Sequence, residues 1–135
     1  MGTRSLVKFK DGKSTILCLY SQYDGYPAGM GKDLVDLLKS STIVNGFGGK
    51  DVAPKQFNGI GCLAAYVTGV LKDGKIGNVY VYPPNASDCG EEYVYTVSAG
   101  KDNQICLKVQ GVGSATGHNR TLYSGPIAEY TPTDD

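Results

Sequence analysis

Three glycine-containing segments of the chain, residues 22–31, 44–61 and 85–92, also hold carboxylate or amide side chains. Long irregular segments are uncommon in a compact domain and often carry function. If the three meet at one end of a sheet, they would line a pocket for a small polar ligand, and a nearby guanidinium would favour an anionic one. The alternative is that their Asn-Gly and Asp-Gly pairs only make turns. The candidate ligand-binding residues are Arg4, Asp24, Tyr26, Asn45, Asn58, Asp88 and Glu91.

Residues 58–61 read Asn-Gly-Ile-Gly and directly precede a predicted helix. Free N–H groups at a helix N-terminus attract anions and lower the pKa of a nearby thiol. Cys62 is therefore the candidate nucleophile of an alternative function, a small hydrolase or transferase. The same function could instead use the carboxylates of Asp88, Glu91 and Glu92 as acid and base groups. The one histidine, His118, lies in a distant Gly-rich segment. Because a cysteine is more commonly a small core residue, we expect binding rather than catalysis.

Charge and composition limit the classes of partner that the protein is expected to bind. The 135-residue chain has 13 basic and 13 acidic side chains, so its formal net charge is zero and we expect no direct nucleic-acid binding. No apolar run approaches the roughly 20 residues that span a bilayer, and no apolar segment follows Met1 as in a secretory signal. We therefore expect a cytoplasmic protein with reduced cysteines and no membrane partner. The cysteine and carboxylate spacings match no zinc or EF-hand pattern, so we expect no metal and no cofactor.

Hydrophobic patterning predicts the elements that position these residues. Residues 6–10 and 15–21 flank an Asp-Gly pair and predict a hairpin, with Val7 and Phe9 on one face and Lys8 and Lys10 on the other. Residues 32–39 and 62–71 have helical spacing, and the second segment is apolar nearly all round, which predicts a core helix. Glycine and proline in residues 22–31 are expected to exclude both helix and strand.

The C-terminal half predicts strands at residues 78–82, 92–98 and 104–110, and a short one near 121–123. The order ββααβββ(β) indicates an α+β fold with a mainly antiparallel sheet of five to six strands and two helices. We expect one domain over residues 1–130 and a polar tail over 131–135. Pairs of tyrosines on one strand face, Tyr80 with Tyr82 and Tyr93 with Tyr95, suit either packing under the helices or the interface of a homo-oligomer.

Several motifs resemble a family of small proteins of tailed phages, large DNA viruses and bacteria, over about residues 1–97. They are the opening Met-Gly-Thr-Arg, the Asp11-Gly12 turn, and residues 22–29, which read Gln-Tyr-Asp-Gly-Tyr-Pro-Ala-Gly. Closer members share segments similar to residues 44–46, 58–65, 82–84 and 88–93. The resemblance implies an accessory role in a host cytoplasm, such as countering defence by sequestering a nucleotide signal. A structural or virion-associated subunit, with the glycine-rich loops as assembly contacts, is the third hypothesis.

Overall fold

A six-stranded sheet with two helices on one face forms the body of the protein. The structure, a computed structural model, describes residues 3–44, 56–73, 77–113 and 119–132. Asn45 and His118 lie outside these residues. The strands are β1 (Ser5–Asp11), β2 (Ser14–Ser21), β3 (Thr42–Val44), β4 (Gln56–Asn58), β5 (Val79–Tyr82), β6 (Tyr93–Ala99), β7 (Ile105–Gly111) and β8 (Arg120–Pro126), and the helices are α1 (Lys32–Leu38) and α2 (Gly59–Lys72).

The N-terminal hairpin forms as its sequence predicts. β1 and β2 pair antiparallel, with Val7 opposite Leu19 and Lys8 opposite Cys18. Gly12 in the turn has a φ of +62°, the left-handed conformation that glycine adopts without strain. Val7 and Phe9 are fully buried and face the helices, whereas Lys8 and Lys10 face away, which confirms the alternation along β1.

The sheet order is β5-β2-β1-β6-β7-β8. Four of its neighbouring pairs are antiparallel, but β1 and β6 in the middle are parallel. The α+β class is therefore confirmed. The sheet, expected to be mainly antiparallel, is a mixed sheet with a parallel pair at its centre. The parallel pair arises because β6 joins the sheet beside β1 instead of beside β5, the strand before it in the chain. Parallel neighbours cannot be joined by a tight turn and need a connection that crosses the sheet.

Residues 83–92 form the connection between β5 and β6, and they cross the face of the sheet that the helices leave uncovered, here called the outer face. Ala86 and Cys89 pack there on the buried side chains of Leu6, Cys18 and Tyr20. At its end, the Glu92 N–H donates to the Arg4 carbonyl at 2.8 Å. The crossing segment thus gives the outer face a small apolar cluster of its own.

The main core lies between the sheet and the helices. Leu34 and Leu38 of α1 and Leu63 and Val67 of α2 pack with strand residues such as Tyr95, each almost fully buried. Helix α1 matches its prediction. Helix α2 begins three residues earlier than predicted and is not buried all round, since Cys62, Ala65 and Val70 are exposed on one side. A helix that covers one face of a sheet, with no further layer above it, keeps an exposed side.

Two segments expected to be irregular contain regular structure. Pro27–Gly31 forms a wide π-helical turn that leads directly into α1, which corrects the expectation for residues 22–31. Proline is tolerated in the first turn of a helix, where its missing N–H would have no helical partner. β3 and β4 form a short parallel pair at the two ends of the segment 44–61. The Tyr95 hydroxyl donates to the Gly25 carbonyl at 2.7 Å and fixes the preceding loop to the core.

Candidate functional site

A groove of about 620 Å³ lies on the outer face beside the crossing segment, and we call it the outer groove. This volume is within the range of small-molecule sites, roughly 300–1,000 Å³. Its floor is apolar and its walls are polar. Leu6 and Val94 contribute from the sheet, together with Lys8 and Gln110, and Asp88 and Glu91 contribute from the crossing segment.

Lys8 faces the outer groove from its strand wall because side chains alternate along β1. Lys8 and Leu6 point to the outer face, and the register places Thr96 of β6 beside Lys8 and Lys108 of β7 beside Thr96. Lys8 is half-buried, whereas Lys108 is exposed. Arg4, just before the strand, lies against the crossing segment, since its Nη1 is 2.8 Å from where a Cβ atom on Gly90 would be.

The opposite wall is acidic and is held by hydrogen bonds within the crossing segment. The Glu91 carboxylate accepts from the Cys89 N–H at 2.7 Å, and the Ala86 N–H donates to the Pro83 carbonyl at 2.9 Å. Asp88 and Gly90 both have positive φ, of 55° and 82°, so the backbone turns sharply on either side of Cys89. The groove therefore presents one lysine on the sheet and two carboxylates on the loop.

Two thiols lie under or beside this groove, and both are held as neutral groups. Burial raises the pKa of Cys18 to about 11, although the neighbouring Lys8 acts in the opposite direction. Burial, followed by the Glu91 and Asp88 carboxylates, also raises the pKa of Cys89. The Cys89 thiol donates to the Ser87 carbonyl at 3.4 Å. Neither environment favours the thiolate that nucleophilic chemistry needs.

A second groove, of about 510 Å³, lies on the helix side and is here called the helix groove. The loop after β2, helix α1, the end of α2 and the start of β5 surround it. Carboxylates of Asp24, Asp33 and Asp36 line it together with apolar side chains, among them Leu37 and Val70. The Tyr26 hydroxyl donates to Asp24 Oδ1 at 3.3 Å, and Lys32 Nζ pairs with Asp36 Oδ2 at 2.9 Å.

The structure distributes the residues predicted to bind a ligand over different places. Arg4, Asp88 and Glu91 gather at the outer groove, while Asp24 and Tyr26 meet at the helix groove on the other side of the sheet. Asn58 is exposed where β4 passes into α2, and Asn45 lies outside the described residues.

The candidate nucleophile Cys62 is exposed on the solvent side of α2. The one histidine of the sequence, His118, lies outside the described residues. Within the described ranges, no group of three or more His, Cys, Asp or Glu side chains is arranged to hold a metal ion. In the same part of the chain, no helix is long and apolar enough to cross a membrane.

The residues that the sequence did not single out are those of the sheet. Leu6, Lys8, Val94 and Gln110 line the outer groove, yet each is an ordinary strand residue in the sequence. The one sequence signal that could have pointed to Lys8 was the alternation along β1, which placed its side chain on the face away from the core. Which loop crosses that face depends on the strand order, which the sequence pattern did not specify.

Comparison with known proteins finds no matching family model, no similar curated protein and no similar solved structure.

Proposed function

We propose that the protein is a binding module whose outer groove takes a small polar ligand with an anionic group. The observation that carries this proposal is the half-buried Lys8, which faces the groove from the sheet beside an apolar floor. A partly desolvated ammonium attracts an anion more strongly than a fully solvated one, because the electrostatic interaction is less screened.

The distribution of polar groups indicates the rest of the ligand. Arg4 and Lys8 would donate hydrogen bonds to negatively charged oxygens, whereas Asp88 and Glu91 accept hydrogen bonds from hydroxyl or amino groups. The half-buried Val94 offers an apolar contact on the floor, above the fully buried Leu6. A nucleotide-like molecule combines these three features, since it carries a phosphate, hydroxyl donors and a ring with apolar faces.

The state of the thiols supports binding over catalysis at this groove. Cys89 donates its N–H to the Glu91 carboxylate, and the raised pKa of its thiol keeps that thiol protonated near neutral pH. The Glu91 carboxylate already accepts a hydrogen bond from the backbone of its own loop, which suits a fixed recognition group.

The test is a thermal-shift screen with nucleotides, sugar phosphates and inorganic phosphate at millimolar concentration, followed by calorimetric titration of the best compound. Ligand that binds only the folded state raises the melting temperature by mass action. Lys8→Gln should weaken binding about 10-fold or more, the equivalent of about 1.4 kcal/mol, and Arg4→Ala should act in the same direction.

Lys10→Gln is the matched control because Lys10 follows Lys8 on the same face of β1 but does not line the groove. It removes the same charge and should leave the affinity within about twofold, since exposed charges act weakly at a distance. The proposal fails if no compound raises the melting temperature, or if Lys8→Gln and Lys10→Gln bind equally well.

A further inference from the structure

We infer that the helix groove docks a basic amphipathic helix of a partner protein. This inference is independent of the proposed ligand, because the helix groove lies on the other side of the sheet from the outer groove. It rests on three properties of the groove: exposed apolar side chains, an excess of carboxylates, and a neighbouring strand edge whose main chain is already occupied.

Exposed apolar side chains concentrate at this groove. The described residues include five large apolar side chains that are strongly exposed. Tyr23 and Val70, at 53% and 41% exposure, line the groove, and Val81 lies on the same face of β5 as Val79, which also lines it. Tyr80 lies on the other face of β5, against Tyr20. Ile16 is the remaining one. Contiguous exposed apolar surface on a water-soluble fold marks an interaction site more often than single exposed residues do.

The charge of the groove selects the partner. Asp24, Asp33 and Asp36 line it, and no lysine or arginine is among its lining residues in the described part of the chain. Lys32 offsets one carboxylate by pairing with Asp36. The Tyr26 hydroxyl that donates to Asp24 is uncharged, so it leaves the negative charge in place. A partner with lysine or arginine beside its apolar residues is complementary to this surface.

The edge of β5 excludes an extended peptide as the preferred partner. The Gln22 N–H donates to the Asn78 carbonyl, so by the antiparallel alternation Val79 and Val81 direct their main-chain groups away from β2. The Asn78 side chain accepts from the Val79 N–H at 2.8 Å, and Lys72 Nζ donates to the Val79 carbonyl at 2.7 Å.

The next residue that would face outward is Pro83, which has no N–H to offer. An added strand would therefore find open main-chain groups mainly at Val81, too few to hold it in register. A partner must bind through side chains, as an amphipathic helix does when its apolar face enters a groove at positions i, i+3 or i+4, and i+7. Basic residues flanking that apolar face would meet the aspartates.

Fluorescence anisotropy with labelled 14-residue peptides tests this inference on the full-length protein. The probe is a helical Leu/Lys peptide with leucine on one face and lysine on the other. Two further peptides are a scrambled sequence of the same composition and the same helix with glutamate in place of lysine. The Leu/Lys helix should bind at least about 10-fold more tightly than either, and its affinity should fall as salt rises.

Matched variants of the protein locate the binding. Val70→Ser and Asp33→Asn should each weaken binding about 5-fold or more. Cys62→Ser on the exposed side of α2 and Asp11→Asn in the hairpin should change it by less than about twofold. Lys8→Gln should leave peptide binding intact, which separates this test from that of the outer groove. Equal binding of the scrambled peptide, or equal effects of Val70→Ser and Cys62→Ser, would overturn the inference.

Discussion

At the scale of single residues, the four cysteines differ sharply in environment. Cys62 is exposed, Cys89 and Cys106 are half-buried, and Cys18 is fully buried under the crossing segment. Burial raises the pKa of the Cys18 thiol from 9.0 to about 11. The thiolate fraction of Cys18 at pH 8 is therefore about 100-fold below that of an ordinary cysteine, before limited access is considered.

We predict that iodoacetamide at pH 8 modifies Cys62 first and Cys18 only when the protein unfolds. Peptide mapping by mass spectrometry at successive times measures the order. Low urea, below the unfolding transition, should leave Cys18 unmodified, and urea above the transition should make the two rates similar. Modification of Cys18 in the native protein at a rate near that of Cys62 would contradict its burial.

The same raised pKa makes stability depend on alkaline pH. The folded state keeps the Cys18 proton to a higher pH than the unfolded chain does, so the unfolded chain binds fewer protons above pH 9. The contribution of Cys18 to the free energy of unfolding is therefore complete below about pH 9 and is lost as the pH rises through 11. Tyr95 acts in the same direction at higher pH, because burial also raises the pKa of its phenol.

At the scale of elements, sequence patterns that act within a few residues predicted individual strands and helices well. No such pattern predicted which distant strands pair with each other. The hairpin and α1 follow from an Asp-Gly turn and from apolar spacing, which act within a few residues. The parallel pairing of β1 with β6 joins the two halves of the chain, and no local pattern specifies it. Asp88 and Glu91 could be chosen as candidates because they lie together in one polar segment. Lys8 could not, because only the pairing of distant strands places it across the groove from them.

The edge strand β5 depends on Lys72 at the end of α2. Lys72 Nζ donates to the carbonyls of Gly77 and Val79 at 3.1 and 2.7 Å, and lies 5.3 Å from the centre of the Tyr80 ring. Its ammonium group thus hydrogen-bonds main-chain oxygens at a strand edge where the side chains of Tyr80 and Val81 are exposed. A lysine placed in this way protects a strand edge from pairing with another chain.

We predict that Lys72→Met promotes self-association through β5. Sedimentation velocity over a range of concentrations should show a dimer for this variant at concentrations where the unmodified protein remains smaller. Lys39→Met is the control, because it removes the same charge from an exposed position next to α1. If both variants sediment alike, Lys72 does not protect the edge, and the homo-oligomer expected from the tyrosine pairs would have to form elsewhere.

At the scale of the whole molecule, the formal net charge is zero, yet the two grooves differ in charge. One combines cations with carboxylates on the outer face, and the other is acidic on the helix side. A sequence total cannot show this separation, because it depends on which face of the sheet each side chain takes. The resemblance to phage and viral proteins stays a prediction, and a nucleotide-like ligand in the outer groove would agree with it.

The strand order also interleaves the two halves of the chain. β1 and β2 come from the first half, and they lie between β5 on one side and β6, β7 and β8 on the other. The main core combines side chains of α1 and α2, from the first half, with Tyr95, Val97 and Leu107 of the second. A fragment ending after α2 would keep the hairpin that α2 contacts, but it would lose four of the six strands of the sheet and the turn Ile127–Glu129, which contacts α1.

We therefore predict that residues 1–73 do not fold alone, and that folding returns when residues 74–135 are added. Far-UV circular dichroism and urea titration of each fragment, and of their equimolar mixture, provide the measurement. Each fragment alone should lack a cooperative transition, because residues 1–73 keep only two of the six strands of the sheet and residues 74–135 contain neither α1 nor α2 to cover it. The mixture should recover a single transition at a lower midpoint than the intact chain, since joining the fragments costs association entropy. A cooperative transition in residues 1–73 alone would show that the first half holds a sufficient core, and the central parallel pair would then be an addition to a stable unit.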